Sequence, residues 1–61
     1  MEQVKVRDKL KEVIKDHGVR AKFIAAKIGF DYYNLIKFKN GQYDYNSTQL
    51  SKLNDFLKQY K

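Results

Sequence analysis

Apolar positions recur along this chain at helical spacing, in four separate stretches. The first covers about residues 5 to 17, where Val6, Leu10, Val13, Ile14 and His17 fall on one stripe. Val4 projects from the opposite side, so the helix is predicted to begin after it. The second, about Ala21 to Ile28, gathers Ala21, Ile24, Ala25 and Ile28 on one face, where small residues let another helix approach closely. The third, about Tyr32 to Lys39, is short and has Asp31 placed as its N-cap. The fourth starts at "NSTQL", where Asn46 and Gln49 have capping-box spacing. Leu50, Leu53, Leu57 and Tyr60 continue its apolar stripe, with Phe56 at the edge. "QYDYN" (42–46) alternates briefly but is too short and polar to be more than a loop. Gly18, Gly29 and Gly41 each follow a helical pattern, where a left-handed residue costs glycine nothing. The expected fold is all-α, a compact bundle of four or five short helices forming one domain over residues 1–61.

The third helix poses the functional question. With residues about 100° apart, Leu35 and Phe38 form an inner face. Tyr32, Tyr33, Ile36 and Lys37 fan out on the other side. A purely solvating face would carry Glu, Lys, Gln or Ala there. Either these side chains fold back to enlarge a small core, above all Ile36 and one tyrosine, or they form a contact surface. DNA gives such a surface a use, because the major groove admits an α-helix and presents acceptors, donors and thymine methyls. Lys37 can reach guanine O6 or N7, or a phosphate, and Ile36 can touch a thymine methyl. A tyrosine offers ring contact and a hydroxyl. Entry by the N-terminal end brings Tyr32 and Tyr33 in first.

Composition sharpens this picture. Thirteen basic residues against seven acidic give a net charge of +6 in 61 residues, with a pI near 9.7. A domain this basic favours a polyanionic partner, most often nucleic acid. The plainer alternative is a lysine-rich solvated surface. Without cysteine there is no disulfide framework or thiolate metal site. "MEQVKVRDKL" lacks an apolar signal core, and no run of 18 apolar residues occurs, so secretion and membrane insertion are not expected. Asp8 with Lys11 and Glu12 with Lys15 are expected as surface ion pairs. The carboxylates Asp8, Glu12 and Asp16 share one helix side, but interleaved lysines make it a solvated face rather than an acid/base site. His17 has no partner for metal or catalytic work and is assigned to the helix C-terminus. An enzyme, a cofactor and a metal are therefore not expected.

Residues 19–41, "VRAKFIAAKIGFDYYNLIKFKNG", resemble the helix-turn-helix of the phage Cro and lambda-repressor type family. The family wants a small residue, a glycine four places on, an apolar residue next, and apolar residues six and nine places after the glycine. Ala25, Gly29, Phe30, Leu35 and Phe38 fill those places, Ile24 and Ile28 supply the aliphatics, and the closing Asn40-Gly41 matches a common ending. The resemblance extends more weakly through the flanking helices. It implies base-edge contacts from Tyr32, Tyr33, Ile36 and Lys37. It implies phosphate contacts around Lys39, Asn40 and Gln42, and a second clamp from Arg20, Lys22 and nearby backbone N–H groups. Asn34, at the margin, could touch a phosphate.

Three departures from the family pattern stand out. Arg20 replaces the usual Ser or Thr cap, leaving that helix start less well capped and more basic. Phe23 occupies a site usually polar; it packs against the C-terminal helix, the preferred reading, or marks a dimer or partner surface. Many members dimerise through a fifth helix, whereas the sequence ends at Lys61, so a dimer would use Phe23, Tyr43, Tyr45, Phe56 or Tyr60. The resemblance thus implies a sequence-specific, double-stranded DNA-binding transcriptional regulator, a repressor or switch protein. It would act as a homodimer on DNA in the cytoplasm of a bacterial or phage-infected cell, associated with the nucleoid when bound. The competing reading is a small regulator or inhibitor that docks its tyrosines on a protein partner.

Overall fold

The computed structural model describes residues 3–60 and contains four helices among them: α1 (Gln3–Asp16), α2 (Ala21–Ile28), α3 (Tyr32–Lys39) and α4 (Ser47–Leu57). No strand occurs among the described residues, so the all-helical expectation holds. α1 packs on α4 and α3, and α2 packs on α3 and α4. One core results. It takes Val6, Leu10 and Val13 from α1, Ile24, Ala25 and Ile28 from α2, Leu35 and Phe38 from α3, and Leu50, Leu53 and Leu57 from α4. Each large aliphatic or aromatic side chain so buried contributes about 1.5–3 kcal/mol. That burial is what holds α2 and α3, since eight-residue helices are unstable alone.

The ends of the helices are set by local chemistry. Asp31 Oδ2 accepts the Asn34 N–H at 3.1 Å, capping α3. Asn46 and Gln49 bond each other reciprocally at 2.8 and 3.1 Å, completing the capping box of α4. Arg20 precedes α2 without any side-chain cap, as its residue type implies. After α2 the chain turns at Gly29, whose φ of 74° is left-handed, and the Phe30 N–H reaches back to the Ala25 carbonyl at 2.9 Å. α3 ends in the same way. The Gly41 N–H donates to Phe38 O and the Gln42 N–H to Lys37 O, at 3.1 and 2.8 Å.

Several expectations need correction. α1 begins at Gln3, ahead of Val4, because the Gln3 side chain is held by the backbone of Tyr45 (Nε2 to O, and N–H to Oε1 at 3.2 Å). Val4 rides on the outside of the helix, 59% exposed. Glu12 pairs with Lys9 at 3.3 Å rather than with Lys15, and no Asp8–Lys11 pair forms among the described residues. Tyr45, proposed as a partner surface, is buried: only 4% is exposed. Its ring lies 4.7 Å from that of Phe38 and 5.0 Å from that of Phe30, so it belongs to the core. Phe56 and Tyr60 are half-buried against the same core and are only partly available to a partner. The ring of His17 lies 5.4 Å from that of Tyr60.

Tyr45 brings its hydroxyl into the core, where it finds no hydrogen-bond partner among the described residues. Burial, with smaller contributions from the Tyr43 phenol and the Asp31 carboxylate, pushes its pKa up from 10.0 to about 12. The unfolded phenol ionises first. Stability from the neutral phenol is therefore complete below pH 10 and is lost as pH rises toward about 12. Tyr45→Phe keeps the ring and removes the unpartnered hydroxyl. Urea unfolding should show it to be more stable by about 1 kcal/mol at pH 8. The difference should widen between pH 10 and 12, where the variant escapes this source of alkaline destabilisation. A variant clearly less stable than the parent would mean that the hydroxyl has a partner.

Candidate nucleic-acid interface

The face in question is the outer side of α3, and its exposure follows the helical wheel. Leu35 and Phe38 are fully buried. Tyr33, nearly opposite their midpoint, is 72% exposed, whereas Tyr32 on the shoulder is 38% exposed. Lys37, one turn beyond Tyr33, is exposed, and Ile36 is half-buried. Tyr33, Ile36 and Lys37 therefore form a ridge along the helix, flanked at its N-terminal end by Tyr32. The rings of Tyr32 and Tyr33 meet edge-to-face at 5.5 Å, giving a joined aromatic surface. The four residues assigned to base contacts lie together on this side. The alternative, that they fold back into the core, applies only in part to Ile36.

The residues assigned to phosphate contacts flank this ridge less uniformly. Asn40 and Gln42 are exposed at the C-terminal end of α3, while Lys39 and Asn34 are half-buried on its flanks. Gln42 gives its backbone N–H to the helix end, so only its side chain is free. Arg20 and Lys22 are exposed at the start of α2. The one carboxylate between residues 20 and 39, Asp31, is already accepting a helix N–H. Positive charge around the ridge thus faces little internal opposition.

Phe23 departs from the preferred packing assignment. It is 47% exposed on α2, with Lys27 Nζ 5.5 Å from its ring centre, and so remains a candidate partner surface. α4 already has Leu50, Leu53 and Leu57 facing the core, leaving this ring outside it. Tyr43 is 36% exposed and rests edge-to-face on Tyr45 at 5.3 Å. A shallow, open concavity on α4 is lined by Ser47, Thr48, Ser51, Lys52 and Asp55. Its one carboxylate, Asp55, pairs with Lys58 at 3.5 Å.

Two residues absent from the sequence-based site hold it in place. Arg7 Nε donates to the Phe38 carbonyl at 2.5 Å, at the end of α3. The same guanidinium donates to Tyr43 O at 3.4 Å and to Asp44 Oδ1 at 3.1 Å, and it lies over the Phe38 ring at 4.8 Å. Gln3, one turn earlier, grips Tyr45. Together they fasten the 40–46 segment to α1. A signal was present: Gln3 and Arg7 continue the stripe of Val6 and Leu10, as polar residues on the shoulder of an apolar face.

Among the described residues no group of His, Cys, Asp or Glu is arranged to hold a metal, and no helix is long and apolar enough to cross a membrane. Comparison of the chain with protein-family models, with curated proteins and with solved structures finds no match.

Arg7→Ala should cost about 2 kcal/mol in urea unfolding, because it removes charge-assisted bonds to two carbonyls from a mostly buried position. Arg7→Lys should recover only part of that stability, lacking the planar fork. Amide exchange should quicken most at residues 41–45. A uniform change across all four helices would show that Arg7 does not hold this segment.

Proposed function

We propose that this chain is a sequence-specific double-stranded DNA-binding regulator of the helix-turn-helix class, a repressor or switch protein of phage or bacterial type. α2 and α3, joined through Gly29, Phe30 and Asp31, make up the motif, and α3 enters the major groove. The observation that carries this reading is the exposed ridge of Tyr33, Ile36 and Lys37, with Tyr32 beside it, in an almost wholly cationic setting. A solvated face would not hold two touching tyrosines out in water. A polyanion groove accounts for both the rings and the lysines.

On this reading Tyr32, Tyr33, Ile36 and Lys37 meet base edges. Lys39, Asn40 and Gln42 meet backbone at the C-terminal end of α3, Asn34 touches a phosphate at its margin, and Arg20, Lys22 and the free N–H groups of α2 form a second clamp. Two copies bind half-sites about 10 base pairs apart, with Phe23 and Tyr43 the exposed rings best able to join them. The working compartment is the cytoplasm of a bacterial or infected cell.

Selection from random duplex DNA at two salt concentrations tests the proposal, and a recovered motif supports it. Lys37→Ala should change which sequences are preferred. Lys22→Ala should weaken all of them alike and lower the salt slope by about 0.9, the value for one phosphate left unneutralised. Equal scaling of every sequence by both variants would overturn the assigned face. Absence of binding to any duplex would instead favour a protein-docking regulator.

A further inference from the structure

Resting on the DNA-binding reading, we infer that the ridge of α3 reads its half-site chiefly through thymine methyl groups, with one guanine contact from Lys37. The ridge presents one kind of chemistry and lacks another. Purines are discriminated by paired hydrogen bonds: Arg or Lys to guanine O6 and N7, Asn or Gln to adenine N6 and N7. The ridge holds neither arginine nor glutamine, and Asn34 is half-buried on the flank. Lys37 is its one charged donor. Everything else that projects there is ring or aliphatic surface: Tyr33, Tyr32 and the exposed part of Ile36.

The one bulky apolar group on the major-groove floor is the C5-methyl of thymine. Apolar side chains set against the polar edges of guanine and cytosine would leave those groups without the water that satisfied them, at a cost. Set against thymine methyls, they remove apolar surface from water on both sides. The edge-to-face contact of Tyr32 with Tyr33 holds the two rings as one surface before binding, so docking restricts the side chains less. The two phenol hydroxyls, at the far ends of the rings, bond phosphate oxygens or base edges beside the methyls. The predicted half-site is a short thymine-bearing run with a guanine about one helical turn of α3 away.

Uracil substitution tests this directly, because it removes the methyl while leaving the pairing edge and the O4 acceptor in place. In the best duplex from selection, each thymine is replaced singly by deoxyuridine and Kd is measured at one salt concentration. Two or three neighbouring positions should each weaken binding about fourfold, the value of one buried methyl, with other thymines unaffected. Tyr33→Ala, at an exposed position that leaves the core intact, should abolish the effect at one of them. Lys37→Ala should relax the guanine preference and leave uracil sensitivity unchanged. Selective binding in which every uracil substitution stays within twofold overturns this inference while the DNA-binding reading stands. Failure to select any motif overturns both.

Discussion

An eight-residue helix cannot support itself in water, so α3 exists because Leu35 and Phe38 are buried beneath it. That dependence has a geometric consequence. Two fully buried anchors three residues apart fix the roll of the helix as well as its presence. A turn about its axis by one residue, about 100°, would lift Phe38 away from Tyr45 and Arg7. The outward direction of Tyr33 and Lys37 is therefore determined by the inward side chains. Surface and core in this helix are one constraint seen from two sides.

Phe38 stands at the centre of that constraint. Its ring meets Tyr45 on the following segment, its carbonyl takes the Arg7 guanidinium, and Arg7 continues to Tyr43 and Asp44. The segment after α3 is thus tied to α1 through the end of α3 itself. This has an electrostatic side. Arg7 and Asp44 neutralise each other, and the positive field comes from cations that pair with no carboxylate among the described residues, Lys22 and Lys37 included. Net charge alone does not show which cations are free, and the ion pairs do.

Much of the architecture was legible in the sequence, because helical periodicity and caps are local. The apolar stripes of α1, α2 and α4 pack as their spacing implies, and Asp31 and the Asn46–Gln49 pair cap as their positions imply. The outer face of α3 was readable for the same reason: two anchors in a short helix define its opposite side. What escaped was non-local. Gln3 and Arg7 reach partners 31 to 42 residues away, and no spacing rule within α1 names the distant carbonyls they bond. Tyr45 was misplaced for the matching reason. A tyrosine in a polar loop looks exposed until the rings of Phe30 and Phe38 close around it. Phe23 goes the other way: of its two readings the packed one gives way to the exposed one, because α4 turns Leu50, Leu53 and Leu57 inward and leaves that ring outside.

The length of α3 constrains how such a surface could achieve selectivity. Eight residues at a rise of 1.5 Å extend about 12 Å, enough to follow three or four base pairs at 3.4 Å each. Three or four base pairs recur by chance about once in every 64 to 256 positions, so a bacterial chromosome, with some million positions, offers one copy thousands of equally good sites. Doubling the contacts squares that rarity. On the DNA-binding reading, a second copy is therefore demanded by arithmetic, independently of any family resemblance. It must be joined through surface that the first copy leaves uncovered. With Tyr45 inside the core and Phe56 and Tyr60 partly enclosed, that requirement falls on Phe23 and Tyr43, the exposed tyrosine and phenylalanine rings outside α3.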